Sequence, residues 1–278
     1  MLKKAYLEIT DVCNLRCSFC RGTLREKGFI SVQAFRAAAQ KLRPHTEYLY
    51  LHLMGEPLLH PDLPALLAVC AALRFKVVVT TNGVLLPQRG AALLACPALY
   101  KVSVSLHSFE GNGGAEGPAL TAYLTGVCDF AERAAANGAI VALRLWNGGG
   151  ADGLNPAILR YLRERFPHPA AHRTGLTLAE HVYLEYGERF DWPDPEAEER
   201  DVRFCMGLRD HVGVLYDGTV VPCCLDADGA IPLGNIFTEE LEEILSSPRA
   251  RAIYDGFSRG RAVNGLCRRC GYAERFSR

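Results

Sequence analysis

The chain carries no excess of charge: 31 Lys and Arg stand against 31 Asp and Glu in 278 residues. Without a basic field, phosphate contacts alone would not draw nucleic acid to it, so nucleic acid is not an expected partner. A local basic group around Arg249, Arg251, Arg259 and Arg261 reads as a solvated helix surface. The chain also lacks any apolar run approaching about 18 residues. Met1-Leu2-Lys3-Lys4 leads directly into a strand-like segment, so neither a membrane span nor an export signal is expected. What the chain has in quantity is cysteine, 11 residues. In a protein that is not exported this implies a reducing cytoplasm, where thiols bind metal or do chemistry more often than they form disulfides. The length allows one large domain and a small one.

Three of the cysteines are tightly grouped. Cys13, Cys17 and Cys20 form a C-x3-C-x2-C run just past the apolar segment Tyr6-Leu7-Glu8-Ile9-Thr10. Three thiolates on one loop can hold three irons of a [4Fe–4S] cluster and leave the fourth iron for a substrate or cofactor. Zinc sites more often use C-x2-C pairs with a distant second pair. The preceding strand and Phe19, next to the third cysteine, also fit a cluster loop better.

Beyond that loop, short β-branched runs alternate with helical patterns. Strands are expected at 6–10, 48–53, 76–81, 100–106 and 139–146, with a weaker one at 181–184. Helices are expected at 31–42, with Ser31 as N-cap, and at 61–73, 88–94, 120–137 and 156–166. Such alternation implies parallel strands with crossover helices, in an α/β barrel or a doubly wound sheet. Either fold gathers functional groups at the C-terminal strand ends. The cysteine loop, Gly55-Glu56, Asn82-Gly83, Ser105, His107 and Arg144 all fall there.

After Leu184 the texture changes. Residues 185–201 are acidic and carry Pro193 and Pro195, which reads as a linker. Asp217-Gly218 between two β-branched runs signals a hairpin. A helix is expected at 238–245, capped by Thr238, and another at 248–257. A tail this small needs a staple. Cys205, Cys223, Cys267 and Cys270 supply four thiols, and on spacing alone zinc and a fully ligated Fe–S cluster are equally compatible. Cys224 adjoins Cys223 and, on a strand, would point the opposite way. Cys70, Cys96 and Cys128 lie in apolar helical patterns and read as core.

Together these motifs resemble the radical S-adenosylmethionine (SAM) enzymes that have a C-terminal SPASM or twitch extension. The resemblance rests on Cys13-x3-Cys17-x2-Cys20 with Phe19, Gly55-Glu56-Pro57, Thr81-Asn82-Gly83, and Gly218-x4-Cys223 with Cys267-x2-Cys270. It implies a partial (β/α)6 barrel over 1–184, a linker over 185–204 and an auxiliary-cluster domain over 205–278. It also implies that SAM chelates the open iron through its amino and carboxylate groups. The loop Met54-Gly55-Glu56-Pro57 would receive the amino group, Ser105 the ribose or carboxylate, and Arg144 the carboxylate, with Asn82 nearby. A zwitterion needs an acceptor and a cation, which Glu56 and Arg144 provide in kind. Met54 stands where the family has a first glycine. The implied chemistry is reductive cleavage of SAM to a 5′-deoxyadenosyl radical that removes a substrate hydrogen atom, with one auxiliary [4Fe–4S] cluster held by Cys205, Cys223, Cys267 and Cys270. A flavodoxin- or ferredoxin-type donor would supply the electron.

For the substrate, the expectation is oxidation or epimerisation of a small polar molecule, since the chain has no room for an N-terminal leader-binding domain. The alternatives are a peptide- or protein-modifying maturase, a cofactor-maturation accessory, and, in a different class, a zinc-stapled interaction protein. Candidate acid–base groups are His107, Tyr183, Glu185, Asp226 and Asp228, each with an ordinary structural role open to it, and Cys224 is a candidate hydrogen-atom donor.

Overall fold

The computed structural model describes residues 2–276. Six parallel strands form the centre: β1 (Lys4–Leu7), β2 (Tyr48–Tyr50), β3 (Lys76–Thr81), β4 (Leu99–Ser105), β5 (Ile140–Gly148) and, after a hairpin of β6 (Ala170–His172) and β7 (Gly175–Ala179), β8 (Val182–Glu188). Helices α1 (Val32–Leu42), α2 (Leu63–Ala72), α3 (Leu86–Leu94), α5 (Pro118–Ala136) and α6 (Asn155–Arg165) make the crossovers, and a single turn, α4 (Ser108–Gly111), follows β4. The architecture is a partial (β/α)6 barrel.

Alternation along the strands sorts residues between two faces. Ala5, Leu7, Leu49, Val77, Val79, Val102, Val104, Val141, Leu143 and Leu184 are fully buried in the core that also contains the helices' apolar residues. The intervening residues, including Lys4, Tyr6, Tyr50, Lys101, Ser103, Arg144 and Glu185, face the concave lumen. Helix α1 begins where its cap dictates. Ser31 accepts the Ala34 N–H at 3.1 Å, and the apolar stripe Phe35, Ala38, Ala39 and Leu42 then turns onto the sheet.

The tail differs from expectation in its attachment. Strand β9 (His211–Val214) pairs in parallel with β1, in register Lys4↔His211 to Leu7↔Val214. Its hairpin partner β10 (Thr219–Val221) and the short β11 (Gly234–Asn235) continue outward, so one 11-stranded sheet runs β11-β10-β9-β1-β2-β3-β4-β5-β8-β7-β6. Val212 and Val214 are completely buried, so pairing with β1 removes both from water. The barrel does not end at residue 184 either. Strand β8 runs to Glu188 because Glu185, read as linker, points into the lumen and is paired there.

Helix α7 (Leu241–Ser246) starts later than expected, with Glu240 rather than Thr238 at its N-cap. Thr238 instead bonds the Asn235 carbonyl at 3.3 Å. Helices α8 (Pro248–Ser258) and α9 (Gly265–Arg268) and a final 3-10 turn, Gly271–Phe276, close the chain. The last two residues of the expected 205–278 segment lie outside the described residues.

Candidate active site

The cysteine loop is fixed from several sides. Thr10 Oγ1 donates to the Gly28 carbonyl at 2.8 Å and accepts the Val12 N–H at 3.0 Å. The Val12 carbonyl accepts the Glu56 N–H at 2.8 Å. Further along, Asn112 Oδ1 accepts the Arg16 N–H at 2.8 Å and the Gly111 carbonyl accepts the Ser18 N–H at 2.7 Å. Trp192 Nε1 donates to the Phe19 carbonyl at 2.9 Å, and the Phe19 ring lies 4.7 Å from that of His107. The loop is therefore shaped by segments following β2, β4 and β8. It presents Cys13 and Cys20 exposed and Cys17 half-buried.

The donor set suits an iron–sulfur cluster. Burial pushes the Cys17 thiol up to about 12, and neighbouring Cys13 and Cys20 add to the push. Thiols crowded in this way become thiolates together only beside a strong cationic partner. The Leu15 N–H lies 3.5 Å and Asn82 Nδ2 4.0 Å from Cys13 Sγ, the kind of N–H···S contact that tunes a thiolate ligand.

Glu56 is placed differently from the sequence expectation. Its carboxylate accepts from Thr81 Oγ1 at 2.8 Å, the Asn82 N–H at 2.8 Å and the Leu58 N–H at 3.1 Å, and it is 1% exposed. Burial pushes its pKa up while these three donors pull it down. The carboxylate thus joins the loops after β2 and β3, where the expectation was an acceptor for an ammonium group. Gly55 has φ +73°, and a Cβ there would come within 2.9 Å of the Asp11 backbone, so glycine is required where this loop crosses the start of the cysteine loop. Asn82 bridges in the other direction, donating from Nδ2 to Asn14 Oδ1 at 2.8 Å.

Ser105 and Arg144 are partners in register across β4 and β5. The Arg144 guanidinium stacks 4.5 Å over Trp146, and its Nε donates to Glu185 Oε2 at 3.3 Å. Glu185 also receives Lys101 Nζ at 3.0 Å. His107 Nδ1 sits 3.0 Å from the Arg144 carbonyl, and burial lowers its pKa, which fits a neutral positioning group.

In the tail, Cys205, Cys223, Cys267 and Cys270 come together. Burial raises Cys223 well above its ordinary value, and the adjacent Cys224 and then Cys205, Cys267 and Cys270 add to the rise. Cys205 Sγ accepts the Gly207 N–H at 3.4 Å. Cys224 lies on the lumen side, packed with Tyr50 against Tyr6, Leu53, Leu215 and Val221. The two adjacent cysteines are not on a strand: β10 ends at Val221, where Pro222 lacks a ladder N–H, and both lie in the bend and turn that follow, so strand alternation does not set their directions. Among the described residues, no group of three or more His, Cys, Asp or Glu side chains converges on a single metal ion.

Asp226 and Asp228 are structural. Asp226 accepts the Ala230 and Ile231 N–H groups at 2.8 and 2.9 Å. Asp228 accepts from Arg21 Nη2 and Thr23 Oγ1, both at 2.8 Å, and from the Leu24 N–H at 2.9 Å, tying the cysteine loop to the tail. Glu8, which the sequence reading passed over, makes a second tie. It receives Arg25 Nη2 at 2.7 and 2.9 Å and the Met54 N–H at 3.1 Å. Its position between Leu7 and Ile9 on the lumen face was the available signal.

Residues 7–116 match the family model described as the Radical SAM superfamily, and residues 205–271 match SPASM, an iron–sulfur cluster-binding domain. The chain therefore belongs to the radical SAM enzymes with a C-terminal SPASM-type domain, whose cofactors are SAM, a [4Fe–4S] cluster and auxiliary iron–sulfur clusters. Among curated proteins it is 31% identical over 123 residues to GTP 3′,8-cyclase of Aquifex aeolicus (39% of this chain, 36% of that protein). It is 35% identical over 119 residues to GTP 3′,8-cyclase 2 of Mycobacterium tuberculosis (37% of this chain, 31% of that protein). These matches thus span about a third of each relative's length. Solved structures with a similar fold include BtrN in complex with AdoMet and 2-DOIA, with TM-score 0.62 at 17% identity, covering 97% of this chain and 93% of that one. Another is Streptococcus suis SuiB bound to its precursor peptide SuiA, with TM-score 0.57 at 16% identity, covering 99% and 70%. No helix among the described residues is long and apolar enough to cross a membrane.

Proposed function

We propose that the chain oxidises or epimerises a small polar molecule held in the barrel lumen. In this reading Cys13, Cys17 and Cys20 hold the SAM-binding cluster, and Cys205, Cys223, Cys267 and Cys270 hold one auxiliary cluster. The Met54–Pro57 loop carbonyls, Phe19, Asn82, Ser105 and Arg144 surround SAM, while Glu56 acts from behind by fixing two of those loops. When bound, SAM and its cluster supply a 5′-deoxyadenosyl radical that takes one hydrogen atom from substrate. The protein's own part is to orient one C–H bond and keep water out.

One observation carries this reading: Cys224 packs with Tyr50 against Tyr6 in the lumen, while the adjacent Cys223 lies among the thiols of Cys205, Cys267 and Cys270. Such an S–H can return a hydrogen atom to the opposite face of a substrate carbon radical. The resulting thiyl is restored by one electron from the flavodoxin- or ferredoxin-type donor and one proton from solvent. If the substrate radical instead loses an electron and a proton, the product is oxidised, and an auxiliary cluster held by Cys205, Cys223, Cys267 and Cys270 would supply the electron acceptor.

The test is an anaerobic assay of reconstituted protein with dithionite and candidate small polar substrates in deuterated water. Formation of 5′-deoxyadenosine supports the radical chemistry, and its complete absence, even without substrate, sinks it. Cys224→Ala should abolish deuterium return to substrate carbon. A variant that still turns over and returns deuterium at the same carbon removes the hydrogen-donor role.

A further inference from the structure

We propose that the lumen recognises its substrate by an acidic group, a carboxylate or a phosphate, which is received by Lys4 and Lys101. This deepens the functional reading above and rests on the lumen being the substrate chamber.

The lumen is a place of uncompensated positive charge. Lys101 and Arg144 share one carboxylate, that of Glu185, at 3.0 and 3.3 Å. Lys4 enters from the start of β1 and lies 5.2 and 5.0 Å from the ring centroids of Tyr6 and Tyr50. Among the described residues no carboxylate stands within ion-pair distance of its ammonium, and Asp210, which attracts it from further off, is paired with Lys3 at 2.8 Å. Two histidines line the same space without adding charge. Burial lowers His52 to about 3 and His211 to about 4, so both rings are neutral. Three cations therefore face one anion, with low-polarity aromatic walls that strengthen their field.

Polar atoms in the same chamber also lack partners. His52 Nδ1, Ser103 Oγ and His211 Nδ1 are buried without a hydrogen bond. Ser103 is 0% exposed and shares the lumen face of β4 with Lys101, and the His52 and His211 rings pack 5.5 and 5.6 Å from Tyr6. Buried polar atoms without a partner are costly, and their grouping in one chamber points to a polar ligand. Cations facing the same space make that ligand an anion.

SAM does not answer to this description. Its charged end belongs at the cysteine loop, beyond the C-terminal end of β1. Lys4 starts that strand, about 20 Å of extended chain before Thr10. The acidic group at Lys4 thus comes from the second molecule, and anchoring it there, close to Cys224, directs the rest of the substrate toward the SAM end.

The test uses the full chain with its clusters reconstituted, titrated calorimetrically with inorganic phosphate, with succinate and with uncharged myo-inositol. We expect at least one anion to bind ten-fold or more tightly than inositol, with affinity falling as salt rises. Phosphate alone or succinate alone then identifies the acidic group. Lys4→Met should lose ten-fold or more of that affinity and Lys4→Arg should retain it, with Lys4→Gln as a second neutral variant should Lys4→Met lose iron. Anions that bind no better than inositol overturn the proposal, as does binding unchanged in the neutral variants, which would place the anion elsewhere. A 5′-deoxyadenosine assay on the same wild-type preparation is independent. Its failure would reject the radical reading, whatever the anions do.

Discussion

The Glu56 carboxylate accepts the Asn82 backbone N–H at 2.8 Å, joining the loop after β2 to the loop after β3 from within the core. Removing it by Glu56→Ala leaves that N–H, the Thr81 hydroxyl and the Leu58 N–H without an acceptor in a buried site. The expected loss is about 3 kcal/mol of stability, with SAM affinity falling alongside it. Glu56→Gln keeps one acceptor oxygen and should cost about 1 kcal/mol. Denaturant unfolding with SAM titration separates the roles. Unchanged stability with weakened SAM binding would make Glu56 a direct ligand instead.

Gly55 is the point where the loop after β2 touches the start of the cysteine loop. A methyl group there meets the Thr10 and Asp11 backbone at a positive φ that L-residues resist. Gly55→Ala should cost about 1–3 kcal/mol and lower cluster loading at Cys13, Cys17 and Cys20. Iron content and cluster absorbance measure this. A fully loaded variant of wild-type stability would mean that the loops are not mechanically coupled.

Much of the barrel was legible because its signals are local. Lys76–Thr81 forms strand β3 over the residues expected, and Ser31 caps α1 as its sequence position implied. The three-cysteine spacing and the Cys267-x2-Cys270 pair similarly led to the family that the comparisons match. What the residues hid is set by long-range partners. Nothing within His211–Val214 says that it pairs with β1, and nothing around Glu185 says that Lys101 and Arg144 hold it inside the barrel. Glu56 shows the same limit in reverse: its residue type suits an ammonium ligand, but Thr81 and Asn82, 25 and 26 positions away, claim both oxygens.

The lumen histidines give a pH dependence of definite sign. Burial depresses His211 from 6.5 to about 4, so between those values the unfolded chain binds a proton that the folded one refuses. Its contribution to stability is fully present above about 6.5 and is lost as pH falls toward 4. His211→Gln should therefore flatten the fall in melting temperature over that window relative to wild type, both measured with clusters intact. Parallel curves would show that the ring titrates freely in the folded protein.

The two cysteine sets should be separable by metal content. Cys267 and Cys270 lie in the tail, where burial raises them to about 12 and about 11, the Cys205 thiol adding to both and the Cys270 thiol to Cys267. In the proposed assignment, replacing both by serine removes two of the four ligands of the auxiliary cluster. Iron should fall by about half. The remaining reduced cluster's paramagnetic resonance signal should still change when SAM is added, because Cys13, Cys17 and Cys20 are held by Thr10, Asn112 and Trp192 rather than by the tail cysteines. The loop does touch the tail through Arg21 and Asp228 at 2.8 Å, so a modest drop in melting temperature should accompany the change. Loss of all iron from the double variant would mean that the two sites assemble as one unit and that Asp228 carries more of the loop's order than its exposed ion pair suggests.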